Sequence, residues 1–116
     1  MLSFRTRKLF ITTTAAVALA MGLASAPTLA GSYTGTFTIT SFYVASPGNY
    51  QYRIFGMGNV PSCTNSPNWA YLEDTDGGSK AYVAAILSAF YAGKSVSLYL
   101  TPVNGFCHIG EVVVNQ

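Results

Sequence analysis

The sequence predicts a small all-β domain with one helix (β+α), its elements in the order β-β-β-α-β-β. Three observations lead to that class. Apolar and polar residues alternate in short segments between residues 32 and 55 and again between 95 and 114, the period-two pattern of half-buried strands. Only the segment from residue 80 to about residue 92 changes to helical spacing. Pro, Gly and Asn gather between these segments, where turns are needed.

The first thirty residues stand apart. Arg5, Arg7 and Lys8 open the chain, the apolar run "LFITTTAAVALAMGL" follows, and small residues come next in "ASAPTLA". That order is the plan of a cleavable secretory signal peptide, and the run is short for a membrane span. Ala24, Ala26 and Ala30 are the candidate cleavage positions; a cut after Ala26 would leave Pro27 beside it, so a cut after Ala30 is preferred. The expected division is a signal peptide over 1–30 and one domain over 31–116. The mature protein is then secreted or periplasmic, with no membrane span.

Each element of the domain has its own local reason. In "SYTGTFTITSFYVAS" Phe37 and Ile39 alternate with Thr36, Thr38 and Thr40, until the phase slips at Ser41-Phe42 and the apolar side passes to Phe42 and Val44. A slip within one long strand marks a bulge or a sharp bend. "SPGN" turns the chain into a second strand, "YQYRIF", with Tyr50, Tyr52 and Ile54 on one face. A loop then leads to a short third strand, "WAYLE". Asp76 or Ser79 is expected to cap the helix, and Gly93 to end it, with Lys94 near its negative end. Val83, Ile86, Leu87 and Phe90 fall at helical spacing and make its core face. "SVSLYLT" is the fourth strand, with Val96, Leu98 and Leu100 inward, and Asn104-Gly105 turns into the fifth, "FCHIGEVVVN". Five strands with the helix between the third and the fourth match the oligomer-binding fold, a five-stranded Greek-key barrel whose bent first strand serves both halves. A three-stranded sheet packed on a helix is the alternative, and the phase slip favours the barrel.

Composition excludes several functions. Beyond residue 30, Arg53, Lys80 and Lys94 are the only basic side chains, set against all four carboxylates, Glu73, Asp74, Asp76 and Glu111. Nucleic acid is not an expected partner, because phosphate binding needs a concentrated positive surface. Two cysteines, Cys63 and Cys107, in an exported chain predict one disulfide. A domain this small has a marginal core, so the cross-link is a large part of its stability.

The parts for catalysis are missing. The single His, His108, lies beside Cys107, whose sulfur is spoken for by the disulfide, so no Cys/His dyad is available and zinc lacks ligands. Asp74-x-Asp76-Gly77 opens like a calcium loop, but the position needing a bidentate Glu holds Ala85. No enzyme activity, cofactor or metal is expected.

Recognition is the better expectation. The chain has eight Tyr, and Tyr33, Tyr43, Tyr50 and Tyr52 cluster on the first hairpin beside a row of Thr hydroxyls. A flat apolar ring with a hydroxyl suits polar-aromatic binding surfaces. Opposite its core face the helix presents Ala81, Ala85, Ser88 and Ala92, and no charge falls between Lys80 and Lys94. A surface helix normally shows water a polar face. These four residues are therefore expected to meet neighbouring copies of the chain.

The stretch "SPNWAYLEDTDGGSKAYVAAILSAFYAGKSVSLYL", with Cys63 ahead of it, resembles the binding (B) subunits of pentameric bacterial toxins, of the subtilase-cytotoxin and typhoid-toxin type. Trp69 follows a Cys, the helix ends in Phe90-Tyr91-Ala92-Gly93, and Ser95-Val96-Ser97-Leu98-Tyr99 makes the strand after it. The resemblance implies a homopentameric ring with helices lining its pore, binding of cell-surface glycans such as sialic acid, and an enzymatic A subunit as a further partner. Tyr33-Thr34 is the nearest match to the aromatic-Ser pair that takes part in sugar binding there, and Tyr43 and Tyr52 complete the expected glycan-binding set. The chain departs from that pattern in its Cys63–Cys107 pairing, its shorter length and its want of a basic residue after the second strand. The competing class is a secreted or periplasmic structural or inhibitor module that binds protein instead of sugar.

Overall fold

The structure, a computed structural model, describes residues 31–116; the expected signal peptide and its cleavage positions lie outside the described residues. Two long strands carry the sheet. β6 (Ser95–Val103) and β7 (Phe106–Val114) form an antiparallel hairpin. Asn104 and Gly105 join them with φ of 52° and 79°, the doubly positive geometry of a two-residue turn that matches strand twist. Val96, Leu98 and Leu100 point inward and are buried, as the alternation predicts. On β7 the phase changes midway. Tyr99 pairs with Glu111 but Leu100 pairs with Ile109, so Gly110 is an extra residue, a β-bulge. Cys107 and Ile109 face the core before it and Val112 after it, as a one-residue shift requires.

The expected first strand is three strands: β1 (Ser32–Tyr33), β2 (Phe37–Thr38) and β3 (Ser41–Val44). The first break has a chemical cause. The Thr34 N–H donates to the Leu98 carbonyl at 2.8 Å, while the Thr34 hydroxyl, not a main-chain carbonyl, accepts the Leu98 N–H at 2.9 Å. Pairing resumes one residue out of step, Tyr33 with Tyr99 and then Phe37 with Val96. The second break is the bend signalled by the phase slip: β1 and β2 pair with β6, and after Ile39-Thr40 the chain pairs as β3 with β4 (Tyr52–Phe55). Gly56 makes room for that bend. Its φ is 119°, and a Cβ there would lie 2.5 Å from the Thr38 carbonyl oxygen.

β4 pairs on its other side with β5 (Trp69–Leu72), and β5 runs parallel to β7. Seven strands thus form one sheet in the order β1-β6-β7-β5-β4-β3, with β2 also on β6. This corrects the expected five strands in a closed barrel: the hydrogen-bonded path is open, with no ladder joining its first and last strands. Both ends of the path nevertheless belong to the one run of chain from Ser32 to Val44. The broader expectation, a β-sheet protein with one helix, holds.

The helix α1 (Ser79–Ala92) packs on β7 and β6. Its end is as expected: Gly93 has φ 64°, and the Lys94 N–H reaches back to the Ala89 carbonyl at 2.9 Å. Its start is not. The N-cap is Gly78, without a side-chain cap, because the expected caps are engaged elsewhere. Asp76 accepts the Glu73 N–H at 2.7 Å and lies 2.8 Å from His108, and Ser79 is a buried first helical residue whose hydroxyl donates to the Asp74 carbonyl. Ile86 and Ala89 are fully buried, and Tyr82, Val83 and Phe90 pack on the core. Leu87, expected in that face, is not part of the core cluster, whereas Ala89 is buried in it.

Candidate functional site

An open cleft of about 460 Å³ lies between the β1 segment and the loop that follows β4. That volume is in the range of small-molecule sites. Ser32, Tyr33 and Thr34 form one wall; Met57, Asn59 and Ser62 contribute to the other. The far wall is held from beneath. Met57 and Val60 pack on the core, and the disulfide between Cys63 and Cys107, with Cα atoms 5.3 Å apart, ties the loop to β7. Around it Ser66 accepts the Cys107 N–H at 2.7 Å, and the Asn65 side chain donates to the Asn104 carbonyl at 2.7 Å. A loop positioned in this way presents its exposed polar atoms from a fixed scaffold.

The near wall is set by β1. Tyr33 is 56% exposed. Its ring stands edge-on to Tyr99 at 5.0 Å and its hydroxyl donates to Glu111 Oε2 at 2.9 Å. The hydrogen bond to Glu111 holds the phenol above its ordinary pKa, with desolvation adding to it. That proton is committed to Glu111, which leaves the Tyr33 oxygen as an acceptor. Thr34 is the reverse case: its oxygen accepts from Leu98, which leaves its O–H as a donor.

The other two tyrosines of the expected set lie away from this cleft. Tyr43, on β3, is 53% exposed and rests on Phe55 at 4.8 Å. Tyr52, on β4, stacks on Phe42 at 6.2 Å and donates to Asp74 Oδ1 at 2.6 Å. That bond, and a second from Gln51 at 2.9 Å, hold the Asp74 carboxyl below its usual value, while the Tyr52 phenol is raised. Tyr33 and Thr34 therefore share a cleft, and Tyr43 and Tyr52 stand on opposite faces of the sheet.

Tyr43 belongs to a second surface that the sequence reading did not foresee. On the outer face of β3, β4, β5 and β7, Tyr43, Phe55, Trp69 and Phe106 run side by side, with neighbouring ring centres 4.8 to 6.4 Å apart. Tyr50 covers one end, stacked on Phe106 at 4.3 Å, and the Arg53 guanidinium sits 5.4 Å from the Trp69 ring. Tyr50 was expected to share a face with Tyr52 and Ile54; its φ of 49° turns it outward instead. The available signal was the opposite phase of the alternation, since Arg53, Phe55, Trp69 and Tyr71 all occupy positions facing away from the core. Val44, expected on the apolar side, is 66% exposed at the end of the edge strand β3.

The helix offers a third surface. Ala81, Ser88 and Ala92 are exposed, Ala85 is half-buried, and Tyr91 beside them is 83% exposed. His108 and Asp76 make an ion-pair geometry at 2.8 Å that links β7 to the turn before the helix. Among the described residues no group of three or more His, Cys, Asp or Glu is arranged to hold a metal ion, and no helix is long and apolar enough to cross a membrane. Compared with known proteins, the chain matches no family model and none of the curated proteins.

Proposed function

We propose that this chain is a secreted or periplasmic glycan-binding subunit of the toxin-B type, assembling as a homopentamer with an enzymatic A subunit as its further partner. The observation that carries the glycan reading is the cleft lined by Tyr33 and Thr34 on one side and by the polar loop residues Asn59 and Ser62 on the other. Hydroxyl-rich ligands need paired donors and acceptors of this kind, placed beside an apolar contact such as Met57. The exposed face of α1 after Lys80, which carries no charge, supports burial between copies, and the disulfide supports an oxidising compartment.

The deciding experiment is a glycan array probed with native, Tyr33→Ala and Thr34→Ala proteins. Native binding lost in both variants is the expected result; binding unchanged in both places the site elsewhere. The second reading, a module that binds protein, is favoured by the outer aromatic face. Aromatic residues and Arg are enriched at the energetic centres of protein interfaces. A native protein that binds no glycan at micromolar concentration favours that reading.

A further inference from the structure

The outer aromatic face carries one permanent cation, and it has no counterion. Arg53 is half-buried there, its guanidinium 5.4 Å from the Trp69 ring. Its Nε donates to the Tyr50 carbonyl at 3.1 Å and its Nη2 to the Asn49 carbonyl at 2.9 Å. A guanidinium has five N–H donors, so three are left without a partner among the described residues. The one ion pair among those residues, His108–Asp76, does not involve Arg53. A charge taken partly out of water is costly unless an opposite charge meets it. Two carbonyls and a ring hold the fork in place, and a held fork suits a carboxylate gripped through two parallel hydrogen bonds.

The rings around Arg53 favour a protein over a saccharide as the source of that carboxylate. Tyr43 and Phe55 are inclined at 46°, Phe55 and Trp69 at 33°, and Trp69 and Phe106 at 47°. A saccharide chain stacks on ring faces that share a plane, whereas tilted rings leave clefts that apolar side chains fill. Resting on the protein-binding reading, we infer that this face docks a protein segment bearing an Asp or Glu beside apolar side chains. Arg53 takes the carboxylate, and Tyr43, Phe55 and Trp69 take the apolar groups. None of the residues lining the Tyr33–Thr34 cleft belongs to this face, so the two surfaces are tested separately.

The test is an array of end-blocked synthetic peptides in matched pairs. One member has Asp or Glu flanked by Leu, Phe or Trp; the other has Asn or Gln in its place. Native protein is expected to prefer the acidic member by about tenfold, as a charge-assisted bond allows. In Arg53→Gln the preference is expected to fall below about twofold, while Lys94→Gln, which removes an equal charge elsewhere, keeps it. Arg53→Lys covers the case in which Arg53→Gln does not fold: it keeps charge and stem but loses the fork, and the preference should drop to about threefold. Equal binding of both members by native protein would overturn the carboxylate anchor and leave the protein-binding reading standing. So would an undiminished preference in a folded Arg53 variant. Binding of no peptide would remove the protein-binding reading itself. Acid-capped glycans bound by native protein and lost in Arg53→Gln would overturn the choice of a protein as partner.

Discussion

Cys63, at the end of the cleft loop, and Cys107, in the second position of β7, are joined across 44 residues of chain. Both are fully buried, so the cross-link is a core contact as well as a restraint. Chain-entropy reasoning assigns a loop of this size about 4 kcal/mol. Replacing both by Ala should lower the unfolding free energy by roughly that amount in a denaturant titration. A loss below about 1 kcal/mol would show that the unfolded chain is not restrained by this bond.

Gly56 permits the crossing of the first strands from one edge of the sheet to the other. Gly56→Ala would put a methyl group 2.5 Å from the Thr38 carbonyl oxygen in a backbone with φ 119°. Strain of this kind costs about 1–3 kcal/mol, read as a lower thermal midpoint. Gly48→Ala is the control: it has a positive φ but no atom within 4 Å of the new Cβ. Equal losses in the two variants would mean that close approach at Gly56 contributes nothing.

The Tyr52–Asp74 pair sets a pH dependence at both ends of the scale. Asp74 is lowered from 3.8, so its contribution is present above that value and is lost as pH falls through the lower folded value. Tyr52 is raised from 10.0, so its contribution is present below 10.0 and is lost as pH rises through the higher folded value. In Tyr52→Phe the Asp74 carboxyl titration, followed by NMR, should move up toward 3.8. No movement would assign the lowering to Gln51 and the Lys80 charge instead.

Ala85→Glu tests the helix face. If Ala81, Ala85, Ser88 and Ala92 meet symmetry copies, a carboxylate there must be desolvated or face its own copies on assembly. Light scattering should show an oligomer for native protein and a monomer for the variant, with the circular dichroism unchanged because Ile86 and Ala89 still fill the core. On a helix that faces water the same change costs about 0.5 kcal/mol or less and leaves the mass alone. A native monomer at high concentration would end the pentamer.

Much of this protein is decided locally, and those parts are legible in its sequence. Val96, Leu98 and Leu100 declare the inward face of β6 because side chains on a strand alternate whatever lies across from them. Asn104-Gly105 declares a tight hairpin and Gly93 a helix end, since both need a left-handed backbone that few residues adopt cheaply. Two cysteines in a chain with a secretion-like start leave one pairing to expect. The phase slip before Phe42 likewise announces the bend between β2 and β3.

Other features arise only when distant segments meet. Thr34 breaks the first strand because Leu98 is there to donate to its hydroxyl, and no local pattern distinguishes it from Thr36 or Thr38. Gly110 becomes a bulge only through the register of β6 against β7. Asp76 leaves the helix N-terminus because Glu73 and His108 compete for its carboxylate, and Tyr50 turns outward onto Phe106, a residue far along the chain. The cleft has one wall from β1 and another from a loop anchored by Cys63, with Glu111 reaching Tyr33 from β7. Local sequence sets which face each side chain takes, through backbone geometry that repeats every few residues. The site depends on hydrogen bonds and close contacts between residues brought together by the sheet, and these exist only in the folded chain.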